Sequence, residues 1–224
     1  MIKRLFCLVL VLVCIVPVGV NAHAYASETD DMVVNRDVEV LELSQSNATR
    51  TVTDYDFVSY STNFQRYTQE GWVQCENACV PIAMANVISY FDYLGRSNLI
   101  SGNTLSQTEY TEICTRTQWT ANGTTLENGI TGLKAYASQR GYTVTTKKYT
   151  LSLWSNITSS IQADYPVVVE EKVSGNTLTH TVFAVGYKIE DGVKYLMVYN
   201  GDYNEPMKWL EISKVKKAYR VWIQ

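Results

Sequence analysis

The chain has 224 residues, 46% apolar and 12% aromatic, with 19 basic against 22 acidic side chains and a formal charge of −3. Length and composition are those of one globular domain with a core of its own, and the acidic balance argues against a nucleic-acid or anionic-membrane partner. The one basic cluster, residues 214–217, has a valine inside it and reads as a solvated helix or strand face.

Residues 1–26 read as a secretory signal peptide. Lys3 and Arg4 precede an apolar run over 5–20 that is too short, and too interrupted at Pro17, to span a bilayer well; small-x-small cleavage sites follow at Ala24 and Ala26. Cys14 follows Val13, where a lipoprotein signal needs a small residue, so it belongs to the apolar run. Cleavage would leave a secreted chain with 17 basic residues against the 22 acidic ones, a formal charge of −5. It would also remove Cys7, Cys14 and His23, so that Cys75, Cys79, Cys114 and a single imidazole, His180, remain. Residues 27–53 start acidic and turn rich in Ser, Asn and Thr, as a linker or short pro-segment does, with one edge-strand candidate over 38–43.

From residue 54 to 224 the pattern becomes regular. Residues 80–94 are apolar on nearly every side, carry Pro81 in the first turn and stop at Gly95, which predicts a buried helix. Ser106 with Glu109, and Thr124 with Glu127, form capping boxes before two amphipathic helices, the second ending at Gly141. A weaker helix is predicted over 152–163. After Pro166 the period changes: 167–173, 179–189, 193–199 and 219–224 are β-rich, the second and third joined by Glu190-Asp191-Gly192. Helices followed by an antiparallel sheet predict an α+β fold, with a helical half around a buried central helix packed against a C-terminal sheet.

Chemistry concentrates at the start of that central helix. Cys79 opens it, where the helix dipole and a nearby imidazole would stabilise a thiolate, and His180 opens a strand about 100 residues later. Asn200, which ends the next strand, or Asp202 on the same strand face could orient the imidazole through its second nitrogen. Gln74, five residues before Cys79, could donate its amide to an oxyanion together with the Cys79 N–H.

Gln74 to Asn86, His180 to Tyr187 and Val198 to Asp202 together resemble the papain-like cysteine peptidases. Within them the chain is most similar to the compact bacterial branch that includes streptopain-like enzymes and the bacteriocin-leader (double-glycine) peptidases. The resemblance spans residues 57–224. It implies a papain-like fold, a Cys79 nucleophile, a His180 base, an Asn200 or Asp202 orienter and a Gln74 oxyanion donor, acting on a peptide or protein substrate without a cofactor or metal, as a monomer. Two departures stand out. Val80 follows the nucleophile where many leader peptidases carry Gly, and Asn200-Gly201-Asp202 replaces their Asp-Pro, closer to the asparagine of papain and streptopain.

Likeness to papain also implies a candidate disulfide between Cys75 and Cys114; two unpaired thiols are the alternative. A zinc site from Cys75, Cys79, Cys114 and His180 lacks a local second pair of ligands. No Gly-x-Ser-x-Gly elbow, His-Glu-x-x-His or phosphate loop is present. The expected function is therefore cysteine-dependent hydrolysis of peptide bonds outside the cell. The alternatives are acyl or amide transfer on the same machinery, or a catalytically silent secreted binding protein.

Overall fold

The protein is seen in a computed structural model that describes residues 50–73, 76–173 and 179–224. The signal peptide, the strand candidate at 38–43, Gln74 and Cys75 lie outside the described residues. In chain order the elements are β1 (Val52–Phe57), α1 (Cys79–Tyr93), α2 (Gln107–Arg116), α3 (Leu126–Gln139), β2 (Val144–Tyr149), α4 (Leu153–Gln162), β3 (Val167–Lys172), β4 (Thr179–Glu190), β5 (Val193–Tyr199), β6 (Met207–Glu211) and β7 (Val215–Ile223). The class is α+β, with an antiparallel sheet in the order β2-β7-β3-β4-β5-β6 and β1 joining beside β4.

β4 is the hub of that sheet. Along one edge its first half pairs with β3 and its second half with β1, while β5 takes the other edge. Nearly every residue of β3 and of β4 from Val182 to Tyr187 is buried, the pattern of strands covered on both faces. Phe183 packs edge-on against Tyr90 of α1, and Tyr187 against Trp154 of α4.

The central helix α1 is buried along most of its length, from Val80 to Phe91. Pro81 is harmless there because the first-turn N–H groups have no intrahelical acceptor. Gly95, at φ +90°, ends the helix by donating to Asp92 O, and Arg96 N–H reaches back to Phe91 O. Two polar side chains in its buried flank hold an extended segment alongside. Asn86 Oδ1 accepts from Tyr67 N–H at 2.8 Å and its Nδ2 donates to Tyr67 O at 3.0 Å, while Ser89 Oγ donates to Gln65 O at 2.6 Å.

Four points differ from the sequence expectation. β1, β2 and β6 have no counterpart in it, because each is half exposed and carries charges in place of an apolar run. β1 starts at Val52, inside the segment read as linker, and β2 falls between two helices, so helices and strands are less segregated than predicted. β7 starts four residues earlier than the predicted strand and takes in most of the basic cluster: Lys216 pairs with Glu170 at 3.2 Å, and Lys217 with Glu127 at 2.7 Å and Glu170 at 2.9 Å, so this face is ion-paired as well as solvated. The cap of α3 is Thr125, which accepts from Asn128 N–H at 3.1 Å; Thr124 Oγ1 is taken by Thr117 O at 2.7 Å. The Ser106–Glu109 capping box on α2 forms as predicted.

α2 and α3 touch at Gly132, where an added Cβ would stand 2.7 Å from Arg116 C and from Thr117 N. Both are backbone atoms, so relief requires the helices to part. Gly132→Ala is expected to destabilise the fold by about 2–3 kcal/mol in chemical denaturation, as overpacking does. Gly102→Ala, whose nearest neighbour would be 4.0 Å away, should be nearly silent and serves as the control.

Candidate active site

Antiparallel pairing of β4 with β5 sets the start of one beside the end of the other, with Phe183 opposite Tyr199. His180, second residue of β4, therefore meets Asn200, first residue after β5. His180 Nε2 lies 3.0 Å from Asn200 Oδ1 and 2.8 Å from Asn200 O. Both partners are acceptors, so Nε2 carries the proton and Nδ1 is left for another group. The hydrogen bond and charge that act on His180 from across the site come from Cys79, the first residue of α1.

The two partners alter each other. Burial opposes ionisation of the Cys79 thiol, but the hydrogen bond and charge of His180, helped by the Thr181 and Val80 backbone, outweigh it and hold the thiol below its ordinary value. Burial likewise works against the His180 imidazolium, yet Cys79, Asn200 O and the charge of Glu171 raise its pKa above the usual range. Glu171 stands directly opposite His180 in the β3–β4 ladder. A thiolate–imidazolium pair is the state that both shifts favour.

Asn200 is buried, and its N–H donates to Pro206 O at 2.9 Å. Beyond it Gly201 sits at φ +74° with its Cα against α1, where an added Cβ would be 3.0 Å from Ile82 Cγ2. That bend ends the strand, so Asn200 and Asp202 do not share the face expected of them. Asp202 Oδ1 accepts from Asn204 N–H at 2.9 Å within its own turn.

Residues 61–224 match the model of the Peptidase_C39 like family. The chain belongs to this family. Two solved structures are similar to the C39-like chain: a C39-like protein from Bacillus anthracis, at 13% identity over 76% of this chain and 98% of that one, and a mite allergen from work on Blo t 1 and Der p 1, at 16% identity over 79% and 73%; the TM-score is 0.48 for each. No curated protein matches the chain.

In this C39-like chain the sequence reading missed Gln69. Its Oε1 accepts from Ala78 N–H at 3.0 Å, immediately before Cys79, and its own N–H donates to Gly201 O at 2.8 Å, immediately after Asn200. Since Ala78 N–H is a donor, the carboxamide orientation is fixed, and Nε2 is the end left to donate. Ten residues of linear separation hid it, because the stretch before α1 is not helical and its spacing says nothing about proximity. The clue lay in α1, where buried Asn86 and Ser89 needed backbone partners and found them at Tyr67 and Gln65.

Cys114 is a buried thiol on α2, unpaired among the described residues and pushed up to about 11 by burial against the weaker effect of a hydrogen bond to Tyr110. Its sequence-expected partner Cys75, like Gln74, lies outside the described residues.

Proposed function

We propose that the chain is an exported cysteine peptidase that hydrolyses peptide bonds of peptide or protein substrates through Cys79, His180 and Asn200. The observation that supports it best is one contact chain, Cys79 thiol to His180 and His180 Nε2 to Asn200 Oδ1 at 3.0 Å. Export rests on Lys3, Arg4, the apolar run behind them and the small-x-small sites.

In this mechanism the Cys79 thiolate attacks the scissile carbonyl carbon. Charge on the carbonyl oxygen is met by the Cys79 N–H, one of the donors a helix start leaves free, and by a side-chain amide, with Gln69 Nε2 the candidate next to Ala78. His180 Nδ1–H then protonates the leaving amine, and a thioester remains on Cys79. Neutral His180 takes a proton from water, hydroxide attacks the thioester, and the acid product leaves with the thiol pair restored.

The reading is tested by alkylation with iodoacetamide and mapping of the modified cysteines by mass spectrometry. A thiol held below its ordinary value is already ionised where a free cysteine, with a pKa of about 8.5, is not. Cys79 should therefore react at a pH below the free-thiol value of about 8.5, where Cys114, ionising only near 11, stays unmodified. Reactivity of Cys79 should fall to that of a free thiol in His180→Ala. A Cys79 profile with its midpoint at the free-thiol value in the unmodified protein would refute the ion pair.

A further inference from the structure

Beside His180, where β3 ends, lies a cavity of about 400 Å³ lined by Glu171, Lys172, Val173, Lys208, Ser213 and Lys214. Glu171 faces His180 across the ladder, and such pairs have Cβ atoms about 5 Å apart on one face of the sheet. The wall of the cavity thus adjoins the imidazole.

Its charge is opposite to that of the chain as a whole. Three lysines meet one carboxylate, and that carboxylate is already engaged: Glu171 is buried and accepts from Lys208 Nζ at 2.7 Å. Lys172 and Lys214 are exposed and form no ion pair among the described residues. Glu211, the acid nearest Lys214 in the chain, accepts from Ser213 Oγ at 2.6 Å. Among the described residues, two cationic side chains therefore face a cavity whose one acidic lining residue is already paired.

Chemistry decides which part of a substrate would reach it. In acyl transfer to Cys79 the acyl half stays on sulfur, while the amine half takes its proton from His180 and must lie on the imidazole side. We propose that the cavity is a subsite for a carboxylate on the leaving-group side of the scissile bond, held by Lys172 and Lys214 beside the Lys208–Glu171 pair. The inference rests on the peptidase reading above. The carboxylate can belong to an acidic side chain or to the C-terminus of the peptide itself.

The test compares kcat/KM for peptide pairs that differ only by Glu or Gln at one of the positions after the scissile bond, each with a free and an amidated C-terminus. One position should favour Glu by roughly five- to tenfold, as one or two partly exposed ion pairs can, with the ratio falling as salt is raised. The double variant Lys172→Gln, Lys214→Gln should bring the ratio to about one. A preference kept in amidated peptides assigns the site to an acidic side chain, and a preference for the free acid over the amide assigns it to the substrate terminus. Equal rates throughout overturn the subsite and leave the peptidase reading standing. If nothing is cleaved, the same peptides are titrated calorimetrically against Cys79→Ala. A Glu-over-Gln or acid-over-amide affinity ratio abolished by the two lysine substitutions sustains the subsite, and equal or absent binding overturns it.

Discussion

Cys79→Ala should lower kcat/KM on any cleaved peptide by at least about three orders of magnitude, to the level of the protein-free control. The substitution removes only the sulfur from the first residue of α1, and alanine is at home in a helix. Circular dichroism and the denaturation midpoint should therefore stay close to those of the unmodified protein, which separates loss of chemistry from loss of fold. His180→Ala should cost a similar factor, and the double variant little more than either single one, because the two act as a unit. Substantial activity in Cys79→Ala would end the cysteine-peptidase reading, and additive losses would end the claim that the two groups form a pair.

Asn200→Ala should reduce kcat by one to two orders of magnitude, on the order of 1.4–2.7 kcal/mol of transition-state stabilisation. The loss is bounded by geometry. His180 Nε2 is also 2.8 Å from the backbone carbonyl of Asn200, which the substitution leaves in place, so the ring keeps its tautomer while losing one of two restraints. Asp202→Ala removes an acceptor from its own turn and should cost little. The pair is measured with one substrate under saturating conditions. A large loss in Asp202→Ala with a silent Asn200→Ala would transfer the orienting role to the carboxylate.

What was legible in the sequence follows from where apolar residues could be counted. α1 and the strands β3 to β5 are buried on more than one side, and their near-continuous apolar runs announced them. The α2 cap could be read because Ser106 and Glu109 satisfy each other locally. β2 spends four of its six residues on Thr and Lys and buries only Val144 and Tyr149, and β1 carries two aspartates, so neither shows a run. At the site the same division holds. Cys79 and His180 were marked by the starts of a helix and a strand, and the structure brings them into contact. Gln69 was invisible, because its place depends on Asn86 gripping the Tyr67 backbone from the middle of another element.

Cys79 and His180 stand 101 residues apart in the chain, and only the docking of β4 and β5 onto the start of α1 joins them. Helices assemble from near neighbours within microseconds, whereas pairings between distant strands must first close long loops and come later. The thiol of a freshly emerging chain is thus an ordinary one, and acquires its acidity only when the last third of the polypeptide has taken its place. On the proposed reading of an exported peptidase, the order of folding itself would keep the blade unsharpened until the sheet is complete.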